Sequence, residues 1–206
     1  MGADSKIPKK AEAKRTVKDS VFTNLFGDSK YLLQLYQALH PEDTDVREED
    51  LTTVTLENIF TDSIYNDLGF IKGNKLMVLV EAQSLWTANI IIRALEYLVN
   101  SYRRYFSDND MDLYKSKKVE LPKPELYVIY TGNRKTRPLE ITLSNEFFDG
   151  EKTAIEVTVQ MIYDGKNGDI INQYVTFTKV LDEQMKLHGR SKKAVQETIR
   201  ICKDQD

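Results

Sequence analysis

Two acids and an amide carry the first chemical signal in this chain. Leu76-Met77-Val78-Leu79-Val80 is an apolar run bounded upstream by Gly73-Asn74 and closed downstream by Glu81-Ala82-Gln83. A run this short with a turn before it reads as a buried strand. Side chains alternate along a strand, so Glu81 and Gln83 share one face and Ala82 takes the other. A carboxylate near a core is costly unless a cation or several hydrogen bonds compensate it. Asp67 lies on what reads as the preceding strand, Tyr65 to Ile71, across a turn at Lys72 to Lys75. Two carboxylates brought together on such a hairpin repel unless a divalent cation sits between them. Hard oxygen ligands of this kind suit Mg²⁺ or Mn²⁺. An ion so held can activate water for phosphodiester cleavage.

The pairing depends on the length of the turn. A two-residue Gly73-Asn74 loop sets Asp67 opposite Val80, on the wrong face for Glu81. A three-residue loop, or a bulge near Gly69, moves Asp67 onto the face of Glu81 and Gln83. The metal hypothesis therefore predicts an odd-length loop or a bulge. The other reading of the same residues is a turn acid at Asp67, next to Asn66, and a strand-end acid at Glu81 paired with a surface lysine. Residue chemistry alone leaves both standing.

The acid, hairpin and acid-x-Gln arrangement resembles the PD-(D/E)XK nuclease superfamily, with Gln in place of the usual Lys. More closely, the chain resembles the PD-(D/E)XK nuclease family transposases, relatives of the Rpn recombination-promoting nucleases. The residues that carry the likeness are YNDLGF at Tyr65 to Phe70, VLVEAQS at Val78 to Ser84, then Trp86, Asn89, Arg93 and Tyr97. LPKPELYVIYTG at Leu121 to Gly132 and IYDGKNGDIINQYVTF at Ile162 to Phe177 extend it. The likeness runs from about Asp19 to the C-terminus. It implies an α/β fold with a PD-(D/E)XK (restriction-endonuclease-like) core, a mixed central sheet flanked by helices, and extra C-terminal helices. It also implies that Asp67 and Glu81 hold the metal, and that Gln83 occupies the third active-site position. Relatives of this kind often continue past Ile201-Cys202-Lys203-Asp204, which implies a trimmed chain or a natural fragment.

Gln at position 83 has a physical consequence. A Lys would bring positive charge to orient water or stabilise the developing phosphorane, whereas Gln offers only neutral donors and acceptors. Arg93 is the nearest candidate cation. A helix from about Trp86 to Phe106 puts Asn89, Arg93, Tyr97 and Asn100 on one stripe, while Ile91, Leu95, Leu98 and Tyr102 face the sheet. For Arg93, an ion pair with Glu96 or a sheet acid explains the residue equally well.

The remaining elements build a frame around this hairpin. Asp19 or Ser20 can cap a first helix whose stripe includes Val21, Phe22, Leu25, Phe26, Leu32, Leu35, Tyr36 and Leu39, with a break at Gly27-Asp28. Thr52 to Leu56 alternates as a short strand. Ser107 to Pro124 reads as a long connection, a candidate flap over substrate. Glu125 to Tyr130 and Ala154 to Tyr163 read as further strands, the second with Ile155, Val157, Val159 and Met161 on one face. Helices over about Asp169 to Leu187 and Ser191 to Lys203 follow, separated by Gly189.

Composition sets outer limits. The 206 residues suit one well-buried core, with residues 1–18 as a disordered basic tail and 19–206 as the nuclease-like domain. No stretch is long and apolar enough to span a bilayer, so no membrane partner is expected. The lone Cys202 leaves no intrachain disulfide and suits a reducing cytoplasm. His40 and His188 are too few for a His-based metal site. Neither a G-x-G-x-x-G nor a Walker lysine motif occurs, which argues against a nucleotide cofactor.

Lys6, Lys9, Lys10, Lys14, Arg15 and Lys18 make residues 1–18 basic, while the remainder is net acidic, with an acidic loop from Glu42 to Asp50. Contact with DNA phosphates must then come from local patches. Candidates are Arg103-Arg104, Lys115 to Lys118, Arg134-Lys135-Arg137 and Lys192-Lys193, each of which also suits a solvated surface. The expectation is a Mg²⁺-dependent DNA endonuclease linked to a mobile element or to promotion of recombination, with a symmetric homodimer as the route to both strands. The alternative is a catalytically inactive DNA-binding or protein-interaction module of the same fold. A nuclease acting on RNA with the same site is a third reading.

Overall fold

The computed structural model describes residues 9–54, 67–73 and 76–204. Two helices open the chain, α1 (Lys9–Phe26) and α2 (Ser29–Leu39). They are broken where the sequence predicts, at Gly27-Asp28. Asp28 caps α2 by accepting from the Lys30 amide at 3.0 Å, which satisfies one of the helix's orphan donors. The expected start at Asp19 or Ser20 is corrected, because α1 runs through both. Val17 packs against Leu181, Met185 and Ala194, and Lys18 Nζ pairs with Asp182 Oδ2 at 2.7 Å. These contacts to distant helices anchor a stretch that local composition assigns to a tail. The expectation for residues 1–8 lies outside the described residues.

A short 3-10 turn, Glu48–Asp50, leads into β1 (Leu51–Val54). Strands β2 (Asp67–Lys72) and β3 (Leu76–Gln83) follow as an antiparallel pair. Helix α3 (Asn89–Asp108) crosses to β4 (Lys123–Tyr130), which runs parallel to β3. Residues 109–122 form the expected long connection, tied at its far end by Tyr102 Oη donating to the Pro122 carbonyl at 2.7 Å. After β4 come β5 (Glu140–Thr142), the short helix α4 (Leu143–Phe147) and β6 (Thr158–Ile162). Helices α5 (Ile170–His188) and α6 (Lys192–Asp204) end the described chain. Asp169 caps α5 through the Asn172 amide at 2.7 Å.

The strands form one six-stranded mixed sheet in the order β1-β2-β3-β4-β6-β5. The period-2 alternation of the strands divides the core between its two faces. Leu68, Phe70, Val80, Ala82 and Ile129 pack against buried residues of α1, α2 and α5. Leu126, Val128, Tyr130, Val159 and Met161 pack on the other face with Ile90, Ile91, Ala94 and Tyr97 of α3. Burying a Phe or Leu side chain in such a layer stabilises the fold by about 1.5–3 kcal/mol relative to exposure.

Two further expectations are corrected, and two short elements were not expected. The strand expected over Ala154 to Tyr163 begins at Thr158, and Ile155 is exposed although Val157, Val159 and Met161 are buried. Strand β5 and helix α4 carried no periodic signal, because three and five residues are too few to show one; β5 exists through its pairing of Ile141 with Val159. The sheet-facing stripe of α3 is centred on Ile90, Ala94, Tyr97, Ser101 and Tyr105, all buried. Tyr97 therefore belongs to the core rather than to a polar stripe with Asn89 and Asn100. No helix among the described residues is long and apolar enough to cross a membrane.

Candidate functional site

The β2–β3 register decides whether the two acids can act together. Lys72 pairs with Leu76, which leaves a three-residue connection, and the ladder then runs unbroken to Asp67 opposite Glu81. Gly73 enters the connection with φ +54°, a left-handed conformation that costs glycine little. The odd-length loop is thus the device, and the alternative bulge at Gly69 is absent because Gly69 pairs regularly with Leu79. Directly opposed residues lie on the same face of an antiparallel pair, with Cβ atoms about 4.5–5.5 Å apart. For Asp67 and Glu81 the structure describes the backbone; their side chains lie outside the described part. Their common face is the one carrying Val128 and Tyr130, which are aligned with Glu81 and Gln83 in the parallel pairing to β4. This is the face covered by α3.

Gln83 sits about 6–7 Å further along the strand on the same face, two residues at 3.2–3.4 Å each. Its Oε1 accepts a hydrogen bond from Arg93 Nη2 at 2.6 Å. Its Nε2 donates to the Leu85 carbonyl. Both ends of the amide are thereby engaged within the protein. Charge-assisted hydrogen bonds are shorter and stronger than neutral ones, so Gln83 serves as a rest for the Arg93 guanidinium. Arg93 lies on the first turn of α3 after Asn89, at the border of the buried stripe, and is partly exposed. Of the four sequence-predicted site residues, Gln83 and Arg93 are joined directly, while Asp67 and Glu81 are brought opposite each other by register.

Beyond Gln83 the layer is closed. Gln83, Trp86, Val128, Tyr130, Ile141 and Met161 line a small recess with no room for a water molecule. Gln83 itself is partly exposed. Among the described residues no group of three or more His, Cys, Asp or Glu is arranged to hold a metal. Two carboxylate-bearing positions on one face of a ladder offer the hard oxygen donors that suit a divalent cation.

A second polar cluster occupies the opposite face, where α2 ends against β4. His40 Nε2 meets Glu125 Oε2 at 2.9 Å and His40 Nδ1 meets Glu42 Oε1 at 3.1 Å. Tyr127 Oη donates to Glu125 Oε2 at 2.8 Å, and Tyr36 Oη donates to Asp43 Oδ2 at 2.7 Å. Burial, followed by the hydrogen bond to Glu125, pushes the Tyr127 hydroxyl far above the ordinary tyrosine range. Burial is also the main cause of the rise at Tyr36, with Glu125 and Glu42 adding to it. These phenols remain protonated donors that join α2 to the sheet.

No family model, curated protein or solved structure matches the chain. The functional reading therefore rests on the residues and their placement. Sequence reasoning missed the Gln83–Arg93 bond, because a contact between a strand end and the next helix has no periodic signature.

Proposed function

We propose that this protein is a metal-dependent DNA endonuclease of the PD-(D/E)XK type. The observation that carries this reading is the Asp67–Glu81 register, which places two carboxylate-bearing positions across one hairpin and two residues from Gln83. The order of elements supports it: a helical start, three antiparallel strands, a crossing helix and a fourth strand parallel to the third.

The carboxylates of Asp67 and Glu81 would hold Mg²⁺, with Mn²⁺ as a substitute. When bound, such an ion supplies Lewis acidity and lowers the pKa of water, so that a nucleophile is available at neutral pH. Gln83 holds the Arg93 guanidinium at the site. Arg93 offers fixed positive charge and planar donors to the phosphate, in the role the family's Lys plays elsewhere. The cation has moved from the strand to the helix. The link to recombination or a mobile element rests on the resemblance set out above.

Plasmid cleavage tests the proposal with wild type, Asp67→Asn and Glu81→Gln, each in Mg²⁺, Mn²⁺, Ca²⁺ or EDTA. The expected result is nicking or linearisation by wild type with Mg²⁺ or Mn²⁺, and its loss in both variants while their circular dichroism is unchanged. Activity that survives both substitutions refutes the site. A second reading, the non-catalytic module, is favoured by one observation: the Gln83 amide is engaged inside the protein at both its oxygen and its nitrogen. DNA binding without any cleavage by wild type would select it.

A further inference from the structure

Strands β3, β4 and β6 run parallel, so their C-terminal ends meet along one edge of the sheet. In open α/β sheets this is where ligands bind. A row of aromatic rings lies there. Trp86, the only tryptophan, meets Tyr130 edge-on at 5.7 Å, and Tyr130 meets Tyr163 at 5.9 Å. Each end of the row is covered by an arginine. The Arg134 guanidinium carbon lies 3.4 Å from the Trp86 ring centre, and that of Arg137 lies 5.4 Å from the Tyr163 ring centre. Stacking on aromatic faces fixes both cations and lowers the entropy cost of their use.

Both arginines come from the loop that follows β4, and the backbone holds this loop against the strand ends. The Thr131 amide donates to the Gln83 carbonyl at 2.8 Å. At Gly132 a Cβ would lie 2.1 Å from the Ser84 carbonyl oxygen, so only glycine permits this approach. The loop therefore begins beside Gln83, at the edge of the candidate site.

Its charge is only partly balanced. Arg137 pairs with Asp164, and Lys179 pairs with the same carboxylate at 2.7 Å. Arg134 Nε donates to Thr136 Oγ1 at 2.7 Å, while its Nη1 is buried with no hydrogen-bond partner. Lys135 between them is exposed. Among the described residues, two cations thus share this acid while neither Arg134 nor Lys135 has a carboxylate partner, in a protein whose net charge is −3. We propose that the Arg134-Lys135-Arg137 loop is a phosphate-binding arm, which holds the DNA backbone on its way to Asp67 and Glu81. This rests on the nuclease reading and assigns its substrate path. Contacts of this kind set position and carry no base sequence.

The test uses Ca²⁺ in place of Mg²⁺ and a short fluorescein-labelled DNA duplex. Affinity is measured by anisotropy over a range of salt for wild type, Arg134→Gln, Lys135→Gln, Arg137→Gln and, as an equal charge loss on α2 across the sheet, Lys30→Gln, an exposed residue. Each loop variant should bind more weakly whatever the duplex sequence, with a slope of log K against log salt shallower by about 0.9. Lys30→Gln should keep the wild-type slope. DNA should also change the emission of Trp86 in wild type. Lys135 is exposed, so its variant reads binding without a folding defect. Loop variants with the wild-type slope overturn the proposal, as does an equal change in Lys30→Gln, and both leave the nuclease reading intact if wild type cleaves. If wild type neither binds nor cuts DNA, the nuclease reading falls and takes this inference with it.

Discussion

A lysine in place of Gln83 should harm this protein. In Gln83→Lys an ammonium replaces the amide oxygen that now accepts from Arg93 Nη2 at 2.6 Å. An attractive charge-assisted contact becomes a repulsion between like charges. At a separation of about 4 Å this costs about 1 kcal/mol in the dielectric of water and about 4 kcal/mol at an effective dielectric of about 20. Gln83 and Arg93 are both partly exposed, so the expected loss lies between these limits. Urea unfolding at equilibrium measures it as a lower midpoint with an unchanged slope. Arg93→Gln in the same chain removes the repulsion and restores a donor–acceptor pair, so the double variant should recover most of the loss. The coupling should exceed the roughly 0.3–0.5 kcal/mol expected of independent sites. Under the proposed function Gln83→Lys also slows cleavage, and the double variant retains more activity than Arg93→Gln alone. Wild-type stability in Gln83→Lys, with no coupling to Arg93, would refute the assignment of Gln83 as the rest for this guanidinium.

Gly132→Ala should lower the urea midpoint by an amount equivalent to about 1–3 kcal/mol, the usual cost of overpacking, because the new methyl meets the Ser84 carbonyl and the Tyr130 ring. A shift in Trp86 emission would report the displaced loop. Phe70 is fully buried and edge-on to Tyr36 at 6.3 Å, so Phe70→Ala should cost about 3–5 kcal/mol, read as a fall in Tm. Asp164 is held below the ordinary aspartate value of 3.8, first by its hydrogen bond to Lys179 and then by Arg137. The folded state therefore binds this proton less tightly than the unfolded state. The pair's stabilisation is present above that ordinary value and is lost as the pH falls through the lower folded one. Asp164→Asn should flatten the acid limb of stability against pH, and an unchanged limb would contradict the assignment.

Much of the hairpin was legible because alternation is a local rule. The apolar run before Glu81 and the turn residues at Gly73-Asn74 specified two strands, and the metal reading, one of two that the residues left open, called for an odd connection or a bulge. The three-residue loop satisfies it. The caps at Asp28 and Asp169 are equally local, since each side chain reaches a backbone amide two or three residues ahead, although the sequence reading placed its cap at Asp19 or Ser20, inside α1. The break between α1 and α2 was visible for the same reason.

Sequence by itself determined that Glu81 and Gln83 share one face of their strand, and it left the place of Asp67 to the length of the turn, which the register of the folded hairpin decides. Tertiary structure alone decided what surrounds them. Lys18 finds Asp182 far along the chain, β5 exists only because β6 is there to pair with it, and Arg134 reaches Trp86 only because Gly132 lets the chain close on Ser84. Gln83 reads from its neighbours as a neutral substitute for a lysine, yet the packing of α3 supplies Arg93 as its partner. Periodicity is set by bonds between adjacent residues and so is written along the chain. A contact between separate elements depends on where each has been packed, and no short stretch of sequence contains that distance.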